Sequence, residues 1–186
     1  VLDSDPRNRR ALEALRDIHA AQGDQDALVS VYRRLVPLQE DAAGVKRVRL
    51  ELADVLLRAG QKREAVEQAK LAFDIEPHTA GDLVRIEEIF RQGGAAQDGV
   101  RAAEARAALL AAEGGPAEAV PAWLAVAELW RAQKRNDAAA AALDKVLELD
   151  PANRTAYEQL RGLHEAAGNW RALARVCDLF APHLPD

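Results

Sequence analysis

Residues 1–28 read VLDSDPRNRRALEALRDIHAAQGDQDAL, and residues 146–173 read VLELDPANRTAYEQLRGLHEAAGNWRAL. Fifteen of the 28 aligned positions are identical, among them the pairs Asp5/Asp150, Pro6/Pro151, Asn8/Asn153, Leu15/Leu160, His19/His164 and Gly23/Gly168. A chain that says the same thing at both ends implies an array of like units. An array restricts the fold to stacked modules, each burying its apolar face against its neighbours.

The intervening sequence carries more of the same. LELADVLLRAGQKREAVEQAKLAFDIEP (50–77) and WLAVAELWRAQKRNDAAAAALDKVLELDP (123–151) each hold an amphipathic run, a short polar break, a second amphipathic run and an acid-Pro stop. Apolar residues recur at three and four, as in Trp123, Val126 or Ala127, Trp130 and then Ala139, Leu143, Val146 or Leu147, which predicts helices. Alanine and leucine dominate and aromatics are only 4%, a composition for closely packed helices rather than sheets. The prolines cannot continue a helix and disfavour it in the preceding residue. Asn8 and Asn153, two residues later, are good N-caps for the next helix.

These residues resemble the tetratricopeptide repeat. Its 34-residue unit carries a large residue at position 4, Leu at 7, a small residue at 8, an aromatic at 11, Gly at 15, Ala at 20 and 27, and Pro at 32. Residues 46–79 match at Leu52, Ala53, Gly60, Ala65, Ala72 and Pro77. Residues 120–153 match at Trp123, Trp130, Ala139 and Pro151 and depart at Val126, Ala127, Lys134 and Val146. Residues 9–42 match through Leu12, Leu15 and Gly23, and residues 154–186 through Tyr157, Leu160 and Gly168. In these two, histidine fills the aromatic slot and leucine the first alanine slot. Residues 80–113 keep Ile86, Phe90 and Gly94 and then lose the pattern. The resemblance implies an all-α solenoid, a right-handed superhelix of about five helix-turn-helix repeats and ten helices, spanning 1–186 as a single repeat domain.

Glycine spacing sets the register. Gly23 to Gly60 is 37, Gly60 to Gly94 is 34 and Lys134 to Gly168 is 34, whereas Gly94 to Lys134 is 40. Six extra residues therefore fall near AEGGPAEAVP (112–121), where a longer loop is expected. Pro116 suits the first turn of a helix, and Pro121 would kink that helix or mark its true start. VLDSDP matches the end of a second helix, so residues 1–8 read as the remnant of a preceding repeat. Without a methionine anywhere, the chain reads as a fragment of a longer protein. Arginine outnumbers lysine 20 to 5, which points to a GC-rich bacterial genome.

A search for chemistry finds little. There is no glycine-rich phosphate loop, no GxSxG and no HExxH. His19 and His164 occupy equivalent repeat positions with no partner spaced for a metal or proton relay; both read as packing between paired helices. Cys177 lies on an apolar helical stripe and reads as a small core residue. Of the tryptophans, Trp170 replaces Gln25 of the sister unit and is expected to be the most exposed. No catalytic site, cofactor or metal is expected. The net charge of −5 disfavours nucleic acid, no apolar run is long enough to enter a membrane as a span, and the expected compartment is the cytoplasm.

What remains is surface. The resemblance implies that positions 2, 5, 9, 12 and 13 of each unit line a concave face. Position 9 gives Asp17, Asp54, Glu88, Glu128 and then Gly162. Position 5 gives Glu13, Leu50, Val84, Leu124 and Glu158. Arg58, Arg91 and Arg131 follow at position 12 or 13, where each could pair with the acid one turn earlier. One reading is a groove for a protein or peptide segment carrying Lys or Arg and an apolar anchor, received by Leu50, Val84 and Leu124 and oriented by the acids. The other is a solvated face of internal ion pairs worth little each. At the level of the protein, an interaction scaffold or adaptor competes with a structural spacer, whose exposed Val1 and Leu2 would favour weak self-association.

Overall fold

A computed structural model describes residues 5–183. Among the described residues its regular structure is ten α-helices and two short 3₁₀ helices (Val36–Leu38 and Ala181–His183), with no strand. They are α1 (Arg9–Gln22), α2 (Gln25–Leu35), α3 (Ala42–Arg58), α4 (Lys62–Phe73), α5 (Ala80–Gly93), α6 (Ala96–Glu113), α7 (Pro116–Ala132), α8 (Asn136–Leu149), α9 (Arg154–Ala166) and α10 (Trp170–Phe180). Val1 and Leu2, the residues invoked for self-association, lie outside the described residues.

Local chemistry sets the helix ends. The Asn8 side chain accepts from the Ala11 N–H at the start of α1, and Asn153 accepts from Ala156 at the start of α9. A short oxygen side chain thus satisfies one of the free amides of the first turn. Asp24, Asp41 and Asn169 cap α2, α3 and α10 in the same way. Thr79 and Asp82 form a reciprocal capping box at the start of α5. At the turns between paired helices the chain reverses through a left-handed residue. Gly23, Gly60, Gly94 and Gly168 have φ between 64° and 78°, and Lys134 holds the same place with φ 60°.

The expected long loop at 112–121 is absent. Only Gly114 and Gly115 separate α6 from α7. The extra residues lengthen the helices instead, to 18 residues in α6 and 17 in α7. The segment is rich in alanine, the best helix former, so the chain stays helical wherever glycine does not interrupt it. Pro116 takes the first turn of α7, where its missing N–H is no loss. Pro121 lies inside α7 and does not mark its start.

The chain packs as two compact units, one ending at Ala102 and the other beginning at Ala103, inside α6. In the first unit α1 packs on α2, α2 on α3, α3 on α4, and α4 on α5. Ala53, Ala65, Ala69 and Ala72 are fully buried between Leu52, Leu56, Ile86 and Phe90. With only a methyl at these contacts the helix axes can approach closely, and the large residues fill the space beside them. In the second unit α7 packs on α8, α8 on α9, and α9 on α10. Ala127, Ala139, Leu143, Val146 and Leu160 are fully buried there. Trp130 is buried, donates through Nε1 to Glu104 at 2.7 Å, and carries the Arg135 guanidinium 5.5 Å above its ring. Tyr157 stacks on Phe180 at 4.2 Å, with its hydroxyl 3.7 Å from the Cys177 sulfur. Trp123 is half-buried, whereas Trp170 is 67% exposed.

Candidate partner-binding groove

The acids of the position-9 column each meet an arginine, by three different routes. Glu88 and Arg91 pair along one helix face at 2.5 Å, and Glu128 and Arg131 do so at 2.9 Å. This is the one-turn pairing that helical spacing predicts. Arg91, with the Gln92 amide, lowers the exposed Glu88 carboxyl to about 2. Asp17 instead takes Arg16, its chain neighbour, at 2.8 Å. Asp54 does not pair with Arg58. It accepts from Arg85 of α5, whose Nε lies at 2.8 Å and whose Nη2 bonds the same oxygen. Arg58 turns to Gln25 of α2 at 3.3 Å. Glu13 is held by Arg9 at 2.8 Å.

The apolar column of position 5 also divides. Val84 is 54% exposed and Leu124 is half-buried. Leu50 is 1% exposed and belongs to the core with Leu28, Val29 and Leu52, so it cannot receive a partner's anchor. The cause is the position of α3, which packs on α2, α4 and α5 together. Its apolar stripe is correspondingly broad, and position 5 falls inside it.

In the first unit a recess of about 270 Å³ between α1 and α3 is lined by Arg9, Arg16 and Arg47 together with Glu13 and Glu51. The Asp17 carboxylate raises Arg16 further. Burial, and then the Glu51 charge, push the Tyr32 phenol up. Within this lining Arg9 pairs with Glu13.

The second unit differs. Between α7 and α9 lies an open groove of about 880 Å³. Glu128, Arg131 and Ala132 line it from α7, Thr155, Glu158, Gln159, Gly162, Leu163 and Ala166 from α9, and Asn136 from the start of α8. Two features of its lining stand out. A β-carbon at Gly162 would meet nothing within 4 Å. The Oε1 of Gln159 is buried and accepts no hydrogen bond among the described residues. Glu128 and Arg131 are sequence-predicted; Asn136, Thr155 and Gln159 are not, since nothing in their spacing separates them from ordinary helix-surface residues.

Lys46 also escapes the sequence reading. It is 6% exposed and lies 3.0 Å from Asp82. The signal was present: Lys46, Leu50 and Ala53 share one face at i, i+4 and i+7, and the latter two are core residues. His19 and His164 are partly buried, and each has one ring nitrogen with no hydrogen-bond partner. Among the described residues, no group of three or more His, Cys, Asp or Glu could hold a metal, and no helix is long and apolar enough to cross a membrane.

A family model of the tetratricopeptide repeat matches residues 120–153. No curated protein sequence matches. Solved structures match along most of the chain. One is similar at a TM-score of 0.52 and 15% identity, a tetratricopeptide repeat protein from Parabacteroides merdae, covering 94% of this chain and 66% of that one. A MamA RS-1 double mutant has a TM-score of 0.51 at 12% identity over 96% of this chain and 97% of its own. A MamA protein has 0.50 at 16% over 95% and 90%. At these identities the likeness is one of fold.

Proposed function

Taking the chain as a tetratricopeptide-repeat protein, we propose that it is a protein-interaction module and that an extended segment of a partner docks in the second unit's groove between α7 and α9. The observation that carries this reading is the lining of that groove. Positions 9, 12 and 13 of the unit 120–153 face positions 2, 5, 9 and 13 of the unit 154–186 across an open space of about 880 Å³. Groups of this kind suit a polypeptide: amides and a hydroxyl for its backbone, carboxylates for a cation, and Leu163 and Ala166 for an aliphatic side chain. Val84 and the Glu88–Arg91 pair are exposed on α5 in the first unit as well.

A spacer reading draws on a different observation. Asp17, Asp54, Glu88 and Glu128 all have arginine partners, as expected of a face that stabilises the array and binds nothing. The experiment that separates the two uses the open floor. Gly162→Trp fills the groove from a position where a side chain meets no neighbour. Peptides selected from a displayed library against the parent should lose binding to Gly162→Trp, while circular dichroism stays helical and the variant unfolds no earlier than the parent. Peptides that bind both proteins equally, or a library that yields none, would transfer the weight to the spacer reading.

A further inference from the structure

We infer that copies of this chain associate head to tail, the uncovered face of α10 in one copy packing on the uncovered face of α1 in the next. This association involves neither the groove nor Gly162, so its failure would leave the groove untouched.

Repeat equivalence identifies the two faces. Within the units the second helix of one repeat packs on the first helix of the next, as α2 does on α3, α4 on α5 and α8 on α9. On those second helices Val29, Val66 and Ala140 are equivalent and buried. The same position of α10 is Ala174, which is exposed. On the first helices Leu52, Ile86, Val126 and Leu160 are equivalent and buried, whereas Leu15 of α1 is only half-buried. Ile18, one turn later, is 51% exposed where Val55 and Ile89 of the same unit are buried.

Exposure alone is ordinary for the outermost helices of an array; the residue types are not. In the α2–α3 contact two polar pairs flank the apolar centre. Arg58 donates to Gln25 at 3.3 Å, and the Glu51 charge acts on the Tyr32 phenol. At the corresponding places α4 and α5 carry Lys62 with Gln92 and Ala69 with Arg85; α8 and α9 carry Asn136 with Ala166 and Leu143 with Gln159. Each of these three contacts keeps a polar side chain at both places. The uncovered faces have none there: Trp170 and Cys177 stand on α10, Ala21 and Ala14 on α1. Solvent should favour the more polar residues, yet these exposed faces are more apolar than the buried contacts they repeat.

The two faces also fit each other. The register of the internal contacts sets Trp170 opposite Ala21 and Ala174 opposite Ile18. A large side chain meets a small one at each place, which is how helix surfaces interlock. The α8–α9 contact supplies the precedent. Its Ala140 corresponds to Ala174, and its Leu163 and Ala166 correspond to Ile18 and Ala21 of α1, whose unit repeats that of α9. A second copy therefore presents, on α1, the kind of surface that α8 already receives inside the chain. Because two different faces meet, the contact is heterologous and does not stop at a pair.

Sedimentation velocity of the parent, Trp170→Glu and Ile18→Glu, at concentrations up to about 1 mM, tests this. Both positions are exposed, and glutamate suits the first turn of α10, so both variants should keep the helical circular dichroism of the parent. The mass of the parent should rise with concentration from the 20.2 kDa of one copy and pass that of two. Each variant alone should remain a single copy, because every molecule then has one blocked face. Mixed in equal amounts the variants should form a pair and nothing larger, since Ile18→Glu retains an intact α10 and Trp170→Glu an intact α1. A parent that stays a single copy throughout would overturn the head-to-tail contact. So would an Ile18→Glu variant that pairs with itself, which would set α10 against α10, or a mixture that remains single.

Discussion

The Lys46 ammonium lies 3.0 Å from the Asp82 carboxylate and also donates to the Pro77 carbonyl, tying α3 to the segment that leads into α5. Lys46 is 6% exposed, while the Asp82 side chain retains 28%. The pair is asymmetric, and its variants should be too. Removing Asp82 strands a buried cation; removing Lys46 leaves a carboxylate that still accepts from the Thr79 amide and reaches water. Asp82→Ala should cost about 2–3 kcal/mol and Lys46→Met less than about 1 kcal/mol in urea unfolding. Burial pushes the Asp82 carboxyl up, but the Thr79 amide and Lys46 outweigh it and hold it below the ordinary range. A depressed carboxyl stabilises the fold above its unfolded value and loses that contribution as pH falls through the folded one. The acid limb of stability below the ordinary aspartate range should thus be steeper in the parent than in Asp82→Asn.

Lys134 occupies a turn position that glycine fills elsewhere, with φ 60° and its N–H donating to the Arg131 carbonyl at 2.8 Å. A side chain in the left-handed region crowds its own backbone. Lys134→Gly should raise stability by about 1 kcal/mol, with unchanged helix content. A destabilised variant in thermal unfolding would mean that Lys134 makes a compensating contact.

Much of this was legible in the sequence, and the reason is locality. The Asn8 and Asn153 caps, the turn register through Lys134 and the i, i+3 pairs Glu88–Arg91 and Glu128–Arg131 all depend on residues within one helical turn. What was missed depends on neighbours in space. Asp54 chose Arg85 over Arg58 because α3 and α5 lie side by side, 31 residues apart in the chain. Its number in the repeat places Leu50 in a groove, yet α3 is enclosed on several sides. Spacing records the number of the six extra residues near Gly114 and not their conformation, so it does not distinguish a longer loop from longer helices.

Gly93 of α5 lies directly against α4. A β-carbon there would collide with Cγ2 of Val66 and lie 3.5 Å from the Lys62 carbonyl oxygen. Val66 is a core residue of a tightly packed cluster and has little room to yield. Gly93→Ala should therefore destabilise by about 1–3 kcal/mol. Val66→Ala alone should cost about 1–2 kcal/mol through the lost burial. The double variant should be more stable than the two separate losses combined would predict, because the smaller residue accommodates the new methyl. Strict additivity would show that the collision is relieved elsewhere.

Gly162 and Gly168 stand six residues apart, and the same substitution should act on them with opposite sign. Gly162 lies within α9 with open space where a β-carbon would be placed. Alanine there reduces the freedom of the unfolded chain and meets no obstacle, so Gly162→Ala should stabilise by about 0.5–1 kcal/mol. Gly168 also has open space around it, but its φ is 64°. Gly168→Ala places a methyl on a left-handed backbone and should destabilise by about 1 kcal/mol. Space is equal at the two sites, so the sign isolates the backbone contribution. Paired urea titrations read both.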